Sequence, residues 1–177
     1  TMPWEARAAI FLKASELLKG EYRAKINAST MINQSKTCHQ AEIDSACELI
    51  DFWRFNVQYA REIYEDLQPP VSPSSMWNSS EIRPLEGFVF SVTPFNFSSI
   101  AANLPSSAAI MGNTGVWKPS RNSYLSNYFL MRLMMDAGLP DGVINFVPGK
   151  ASMVGDICLS HPMLAGIHFT GSTSVFR

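Results

Sequence analysis

Residues 89–120 read VFSVTPFNFSSIAANLPSSAAIMGNTGVWKPS, and the folding of this stretch decides the folding of the whole chain. Val89 to Val92 is apolar enough for a strand buried on both faces, Pro94 stops it, and Ser98 to Met111 is a small-residue helical run. Gly115 to Lys118 reads as the next strand. Short apolar strands alternating with helices predict a parallel sheet, and such sheets bind ligands outside the carboxyl ends of their strands. Asn96 and Lys118 both fall there, an amide and an amine at the ends of successive strands.

The alternation continues on both sides. From Arg83 onward it runs strand (Gly87 to Val92), helix (Ser98 to Met111), strand (Gly115 to Lys118), helix (Ser123 to Ala137), strand (Gly142 to Val147), helix (Ala151 to Leu159) and strand (Gly166 to Phe169). Gly138 and Pro140 end the second helix. Right-handed crossovers place the four strands in one doubly wound sheet. After Phe169, Thr170-Gly171-Ser172 is a loop expected to open another helix. Upstream, Ile10, Ala14, Leu17 and Leu18 form one helical stripe and Ala46, Leu49, Ile50, Trp53 and Val57 another, which predicts three helices. Between lies Gln68 to Ser80, whose three prolines and five serines block helix hydrogen bonding. The expected fold class is therefore α/β: a helical part over 1–67, a Pro/Ser-rich linker over 68–82, and part of a doubly wound, Rossmann-like parallel sheet over 83–177.

A length of 177 residues, 46% of them hydrophobic, is enough for a sizeable core. The formal net charge of −1 and the lack of any lysine or arginine cluster remove the electrostatic footprint of a nucleic-acid or membrane-surface binder. No apolar run approaches the roughly 18 residues of a membrane span, and the expectation is a soluble chain. Cys38, Cys47 and Cys158 are widely spaced and odd in number, which argues against a disulfide framework. His39, His161 and His168 lack metal-ligand spacing, so no metal is expected.

Taken alone, each candidate residue has a plain reading. Asn96 would cap the following helix, Lys118 would be a solvated strand-end residue, Gly171-Ser172 a turn, Glu48 an exposed helix charge and Phe97 a core residue. No GxGxxG fingerprint follows the first strand, so motif rules by themselves assign no dinucleotide.

The strings TPFNF (93–97) and GNTGVWKPS (112–120) resemble the aldehyde dehydrogenase superfamily, most closely its branch oxidising glutamate γ-semialdehyde, also called 1-pyrroline-5-carboxylate. AEIDSACELIDFWRFN (41–56), RPLEGFVF (83–90), GLPDGVINFVPG (138–149) and GIHFTGS (166–172) resemble it too, in the family's order. In that family a cysteine thiolate attacks the aldehyde, the resulting oxyanion collapses by hydride transfer to NAD, and a glutamate activates water for thioester hydrolysis. The resemblance implies an oxyanion-hole role for Asn96 and a ribose-holding role for Lys118. It implies NAD contacts from Thr93, Pro94, Phe95, Ser120, Gly171 and Ser172, and substrate contacts from Glu48 and Phe97. It also implies a small aldehyde substrate, action in proline degradation, a homo-oligomeric complete enzyme with neither nucleic-acid nor membrane partner, and the mitochondrial matrix as location.

Two departures accompany it. The family's nucleophilic cysteine, its base glutamate, its substrate-carboxylate segment and its oligomerisation hairpin have no counterpart in these residues, so this chain alone is expected to be inactive. Arg121 stands where relatives usually carry an acidic residue facing the adenosine ribose; arginine cannot accept that hydrogen bond but can pair with a 2′-phosphate, which implies NADP as an alternative cofactor. Pro105 lies inside an otherwise matching helix and is expected to remove one helix hydrogen bond and kink the turn. The competing reading is a noncatalytic relative acting as a binding or interaction module.

Overall fold

In the computed structural model, which describes residues 2–177, three helical runs precede the sheet. These are α1 (Trp4–Lys19), α2 (Arg23–Gln34) and a run over 38–66 made of α3 (Cys38–Ala41), a π turn (Glu42–Cys47), α4 (Glu48–Arg61) and a second π turn (Glu62–Asp66). Thr37 and Gln40 open the third run as a capping box, each side chain accepting the other's backbone N–H at 3.3 and 3.0 Å. The linker from Gln68 carries no regular element, as its prolines require. Then follow β1 (Phe88–Val92), α5 (Ser98–Ile110), β2 (Thr114–Lys118), α6 (Tyr124–Ala137), β3 (Ile144–Phe146), α7 (Ala151–Leu159), β4 (Leu164–Phe169) and α8 (Thr173–Phe176). A short 3₁₀ turn, Arg121–Ser123, leads into α6. Gly138 terminates α6 with φ +108°, a left-handed conformation that a side chain would strain.

The four strands are all parallel, in the order β3-β2-β1-β4. Alternation sorts their side chains. Phe88, Phe90, Val92 and Val116 point to the side covered by α7, where Val154 and Cys158 pack against them, while Trp117 points to the side covered by α5 and α6. Helices therefore lie on opposite faces before and after β3, as crossovers of one hand demand when the chain reverses direction across the sheet. At the start of β1, Gly87 has φ +107°, and a Cβ there would meet the Met163 carbonyl oxygen at 2.1 Å. Only glycine lets β1 and β4 approach this closely.

Behind α5 and α6 the amino-terminal helices join the same core: Phe11, Leu18, Ile26, Leu49 and Trp53 are buried together with Ala101, Trp117, Leu130 and Leu133. Helix α5 runs unbroken through the buried Pro105, so the expected kink does not interrupt it. Its small residues let α4 pack closely, and the fully buried Trp53 donates its indole N–H to Ser106 Oγ at 2.9 Å. Trp53→Ala should destabilise the protein by ~3–5 kcal/mol through the cavity it leaves, and Ser106→Ala by ~1–3 kcal/mol through the stranded indole N–H. Denaturant unfolding that found Ser106→Ala as stable as wild type would refute this account of the α4–α5 contact.

Candidate active site

From β1 the chain moves to β2 and β3 on one side and returns to β4 on the other, so β1 and β4 flank the point where the sheet's connections reverse. Crevices at such points are where open α/β sheets take their ligands. Two loops border it, 93–97 after β1 and 170–172 after β4, and the ladder continues into both. Thr93 N–H donates to the Lys118 carbonyl at 3.3 Å, and Thr170 N–H donates to the Val92 carbonyl at 3.1 Å. Thr93 is buried and accepts the Trp117 indole N–H at 3.0 Å, so its side chain serves the loop's anchorage. Pro94 and Phe95 emerge from the sheet, Phe95 being exposed.

Asn96 is exposed, and its side-chain amide has no hydrogen-bond partner among the described residues. The N-cap of α5 is Phe97, with no side-chain cap bond, so the expectation that Asn96 caps this helix does not hold. The Asn96 carbonyl accepts from Lys36 Nζ, whose ammonium also lies 4.2 Å from the centre of the Phe97 ring. Phe97 is only half-buried, not the core residue its apolar neighbours suggest. Glu48, the first residue of α4, is likewise half-buried and accepts a hydrogen bond from the buried Ser99 hydroxyl in the first turn of α5. A plain exposed helix charge is therefore excluded, and Glu48 reaches the same helix start as Asn96 and Phe97.

Lys118 ends β2 with the same parity as Val116 and so faces α7. It is 8% exposed, and burial pushes its amine below the usual lysine range. No carboxylate pairs with it among the described residues. β2 lies between β1 and β3, which overturns the reading of Lys118 as a solvated edge residue. The side chain borders a cavity of about 330 Å³ lined by Val92, Ala151, Ser152, Phe169 and Val175 among others. Ser120 follows at the entrance to the 3₁₀ turn, its carbonyl accepting Ser123 N–H at 3.1 Å. Gly171 and Ser172 are exposed beyond β4; Ser172 caps the short α8 through its carbonyl, and a Cβ at Gly171 would meet the Phe169 ring at 2.7 Å.

Two of the chain's three thiols, Cys47 and Cys158, are shifted away from the thiolate. Burial, then the neighbouring Glu42 carboxylate, pushes Cys47 up, and burial alone pushes Cys158 up beneath the sheet, whereas reactive cysteines are shifted down. Sequence reasoning missed Lys36, Asp44 and Ser99, because a lysine in an interhelical loop and a serine in a small-residue helix carry no motif. Their roles exist only in the folded arrangement.

The aldehyde dehydrogenase family profile matches residues 1–177. The chain is 51% identical over 177 residues to a delta-1-pyrroline-5-carboxylate dehydrogenase of Agaricus bisporus, covering all of this chain and 32% of that protein. It is 48% identical over 175 residues to the mitochondrial delta-1-pyrroline-5-carboxylate dehydrogenase of Homo sapiens, covering 99% of this chain and 31% of that one. Its structure superposes on the NAD-bound crystal structure of the Mycobacterium tuberculosis delta-pyrroline-5-carboxylate dehydrogenase with a TM-score of 0.97 at 56% identity, covering 99% of this chain and 32% of the other. The chain thus spans about a third of the length of these relatives.

Lys118 also makes a prediction independent of kinship. A buried, partnerless amine penalises the folded state while protonated, so the penalty is present below its lowered pKa and disappears as pH rises toward the ordinary 10.5. Lys118→Met should stabilise the chain at neutral pH by on the order of 1 kcal/mol, and the gain should shrink as pH climbs toward that value. A gain that does not change with pH, or a loss of stability at neutral pH, would contradict the assignment.

Proposed function

Because the chain belongs to the aldehyde dehydrogenase family, we propose that it forms the amino-terminal helices and first four strands of an NAD-dependent 1-pyrroline-5-carboxylate dehydrogenase. Such an enzyme oxidises glutamate γ-semialdehyde to glutamate in proline degradation. The observation that carries the reading is that an unpartnered amide, Asn96, and a buried unpaired amine, Lys118, end two adjacent strands beside the point where the sheet's connections reverse.

The residues present suit a dinucleotide. Lys118 has hydrogen-bond donors without a partner at the cavity wall, which Asp156 also lines, and ribose hydroxyls can accept from it; the volume is at the small end of the roughly 300–1,000 Å³ typical of ligand sites. Ser120 lies beside Lys118 in the chain, Thr93, Pro94 and Phe95 offer backbone along one wall of the crevice, and Gly171 and Ser172 offer it along the other. When bound, NAD accepts the hydride. Asn96 donates its side-chain N–H to the substrate oxygen as negative charge develops there, a contribution that acts on the transition state more than on the ground state. Glu48, held by Ser99, presents a carboxylate to the ammonium group of the semialdehyde, and the Phe97 ring lines the approach. The cysteine nucleophile and base glutamate belong to parts of the enzyme outside residues 1–177.

The exposed apolar side chains Ile157, Leu159 and Ile167, on α7 and β4, support burial of this flank against further protein. We place the complete enzyme in the mitochondrial matrix as a homo-oligomer acting on a small aldehyde.

In the full-length dehydrogenase that carries these residues, Asn96→Ala should lower kcat by about 10²–10³, with little change in KM for NAD. Unchanged turnover would remove the oxyanion role. Arg121 is exposed and has no ion-pair partner among the described residues, which leaves its guanidinium available to a 2′-phosphate. Arg121→Asp should therefore weaken NADP relative to NAD, and identical ratios of the two affinities in both proteins would exclude that role.

A further inference from the structure

The Asn96 amide has no partner of its own in the protein, so its position depends on what holds its backbone. The neighbouring Thr93 is tied to β2, and the Phe97 carbonyl accepts from Ala101 N–H at 3.1 Å as α5 begins. Between these anchors the Asn96 carbonyl has one partner among the described residues, the Lys36 ammonium. That ammonium makes three contacts at once: the Asn96 carbonyl, the Phe97 ring at 4.2 Å, and Asp44 Oδ2 at 2.6 Å. The side chains of Lys36 and Asp44 are only 13% and 19% exposed, so the pair is shielded enough to act as a fixed strut rather than a fluctuating surface ion pair.

The backbone on both sides is arranged to make this contact. Ser35, immediately before Lys36, has φ +53° and ψ +39°, and it is the one non-glycine residue with positive φ among those described. Ser35 is the C-cap of α2, and its left-handed backbone ends the helix and turns the chain so that Lys36 leaves it toward Asp44 and the Asn96 loop. Asp44 lies in the π turn Glu42–Cys47, and such turns are frequent at functional sites. Two uncommon backbone features thus bring one cation and its counterion to the loop that carries Asn96.

We propose that Lys36, seated by Asp44, is a positioning residue that fixes the Asn96 loop through its carbonyl and the Phe97 ring and so aims the Asn96 amide over the carboxyl end of β1. The role rests on the reading of Asn96 as the oxyanion donor. Lys36 acts only through that loop and touches neither substrate nor cofactor. An ammonium suits the task because it satisfies a carbonyl, an aromatic face and a carboxylate together, which a neutral side chain of similar length cannot do.

The test is a double-mutant cycle in the full-length dehydrogenase. Lys36→Met should lower kcat roughly tenfold to a hundredfold, since misplacing a catalytic group by about 1 Å has effects of that size, and should leave the Kd for NAD within about twofold of wild type. Lys36→Arg should recover most of the loss. In an Asn96→Ala background, Lys36→Met should bring no further loss, because there is no amide left to aim. Losses that multiply in the double variant, a normal kcat in Lys36→Met, or a defect confined to NAD affinity would each overturn the proposal. Should Lys36→Met fail to fold, Asp44→Asn carries the same cycle, with a smaller loss that Asn96→Ala again masks. If Asn96→Ala itself turns over normally, the oxyanion reading fails; if it is slow while Lys36→Met is normal, only the role of Lys36 fails.

Discussion

The site depends on β1 being paired in parallel along both edges, to β2 on one side and β4 on the other. Parallel pairing brings the carboxyl ends of all three strands to one level, and the ladder carries that alignment into the loops through Thr93 N–H to the Lys118 carbonyl and Thr170 N–H to the Val92 carbonyl. Register then determines chemistry. A slip of one residue in β2 would exchange Trp117 and Lys118, sending the indole toward the cavity and the amine into the core behind α5. The Trp117 indole bond to Thr93 makes that slip costly, because it would strand a buried N–H. The apolar packing of α5 and α6 thus specifies which face receives the lysine.

The doubly wound order was legible because each element carries its own physical signal. Proline and glycine punctuate the strands, the apolar runs are of strand length, and Gly138 ends α6 where left-handed backbone is needed. In the alternating part the expected bounds coincide with the observed ones at half of the ends and differ by one or two residues at the rest, where chain direction changes gradually and periodicity says least. Three amino-terminal helices were expected, and the stripes marked the first and the third; α2 and the π turns had no stripe of their own. At the site, the positions of Asn96 and Lys118 followed from the rule that strand ends face the ligand. Their burial and partners did not. Whether Lys118 is solvated depends on β3 lying outside β2 and on α7 covering its face, and both are facts of long-range topology. Lys36 meets the Asn96 loop across 60 residues of sequence, a pairing that no local pattern encodes.

Lys118, Cys47 and Cys158 show that burial acts differently on an amine and on a thiol in this fold. All three move toward their neutral forms with loss of water around a charge as the largest cause, joined at Cys47 by the Glu42 carboxylate. For a thiol this removes the thiolate, so Cys47 and Cys158 are silenced by the packing that surrounds them. For the amine the same desolvation creates a demand for hydrogen-bond acceptors that the protein leaves unmet. That unmet demand, at a strand end and beside a cavity, is what favours the ligand-holding role proposed for Lys118.

One helical run, with a π turn in it, serves two neighbours. In a regular α-helix Asp44 and Glu48, four residues apart, would sit on one face one above the other. Here the Glu48 N–H donates to the Ile43 carbonyl, five residues back, so the turn between them is of the wider π type. Asp44 then takes Lys36 and Glu48 takes the Ser99 hydroxyl. The altered turn is held by Glu42, which accepts from Arg23 and Asn27 of α2; the Arg23 guanidinium beside it, outweighing partial desolvation, holds its carboxyl below the usual range. Through Asp44 and Glu48 a single helical run thus braces both the loop that carries Asn96 and the first turn of α5.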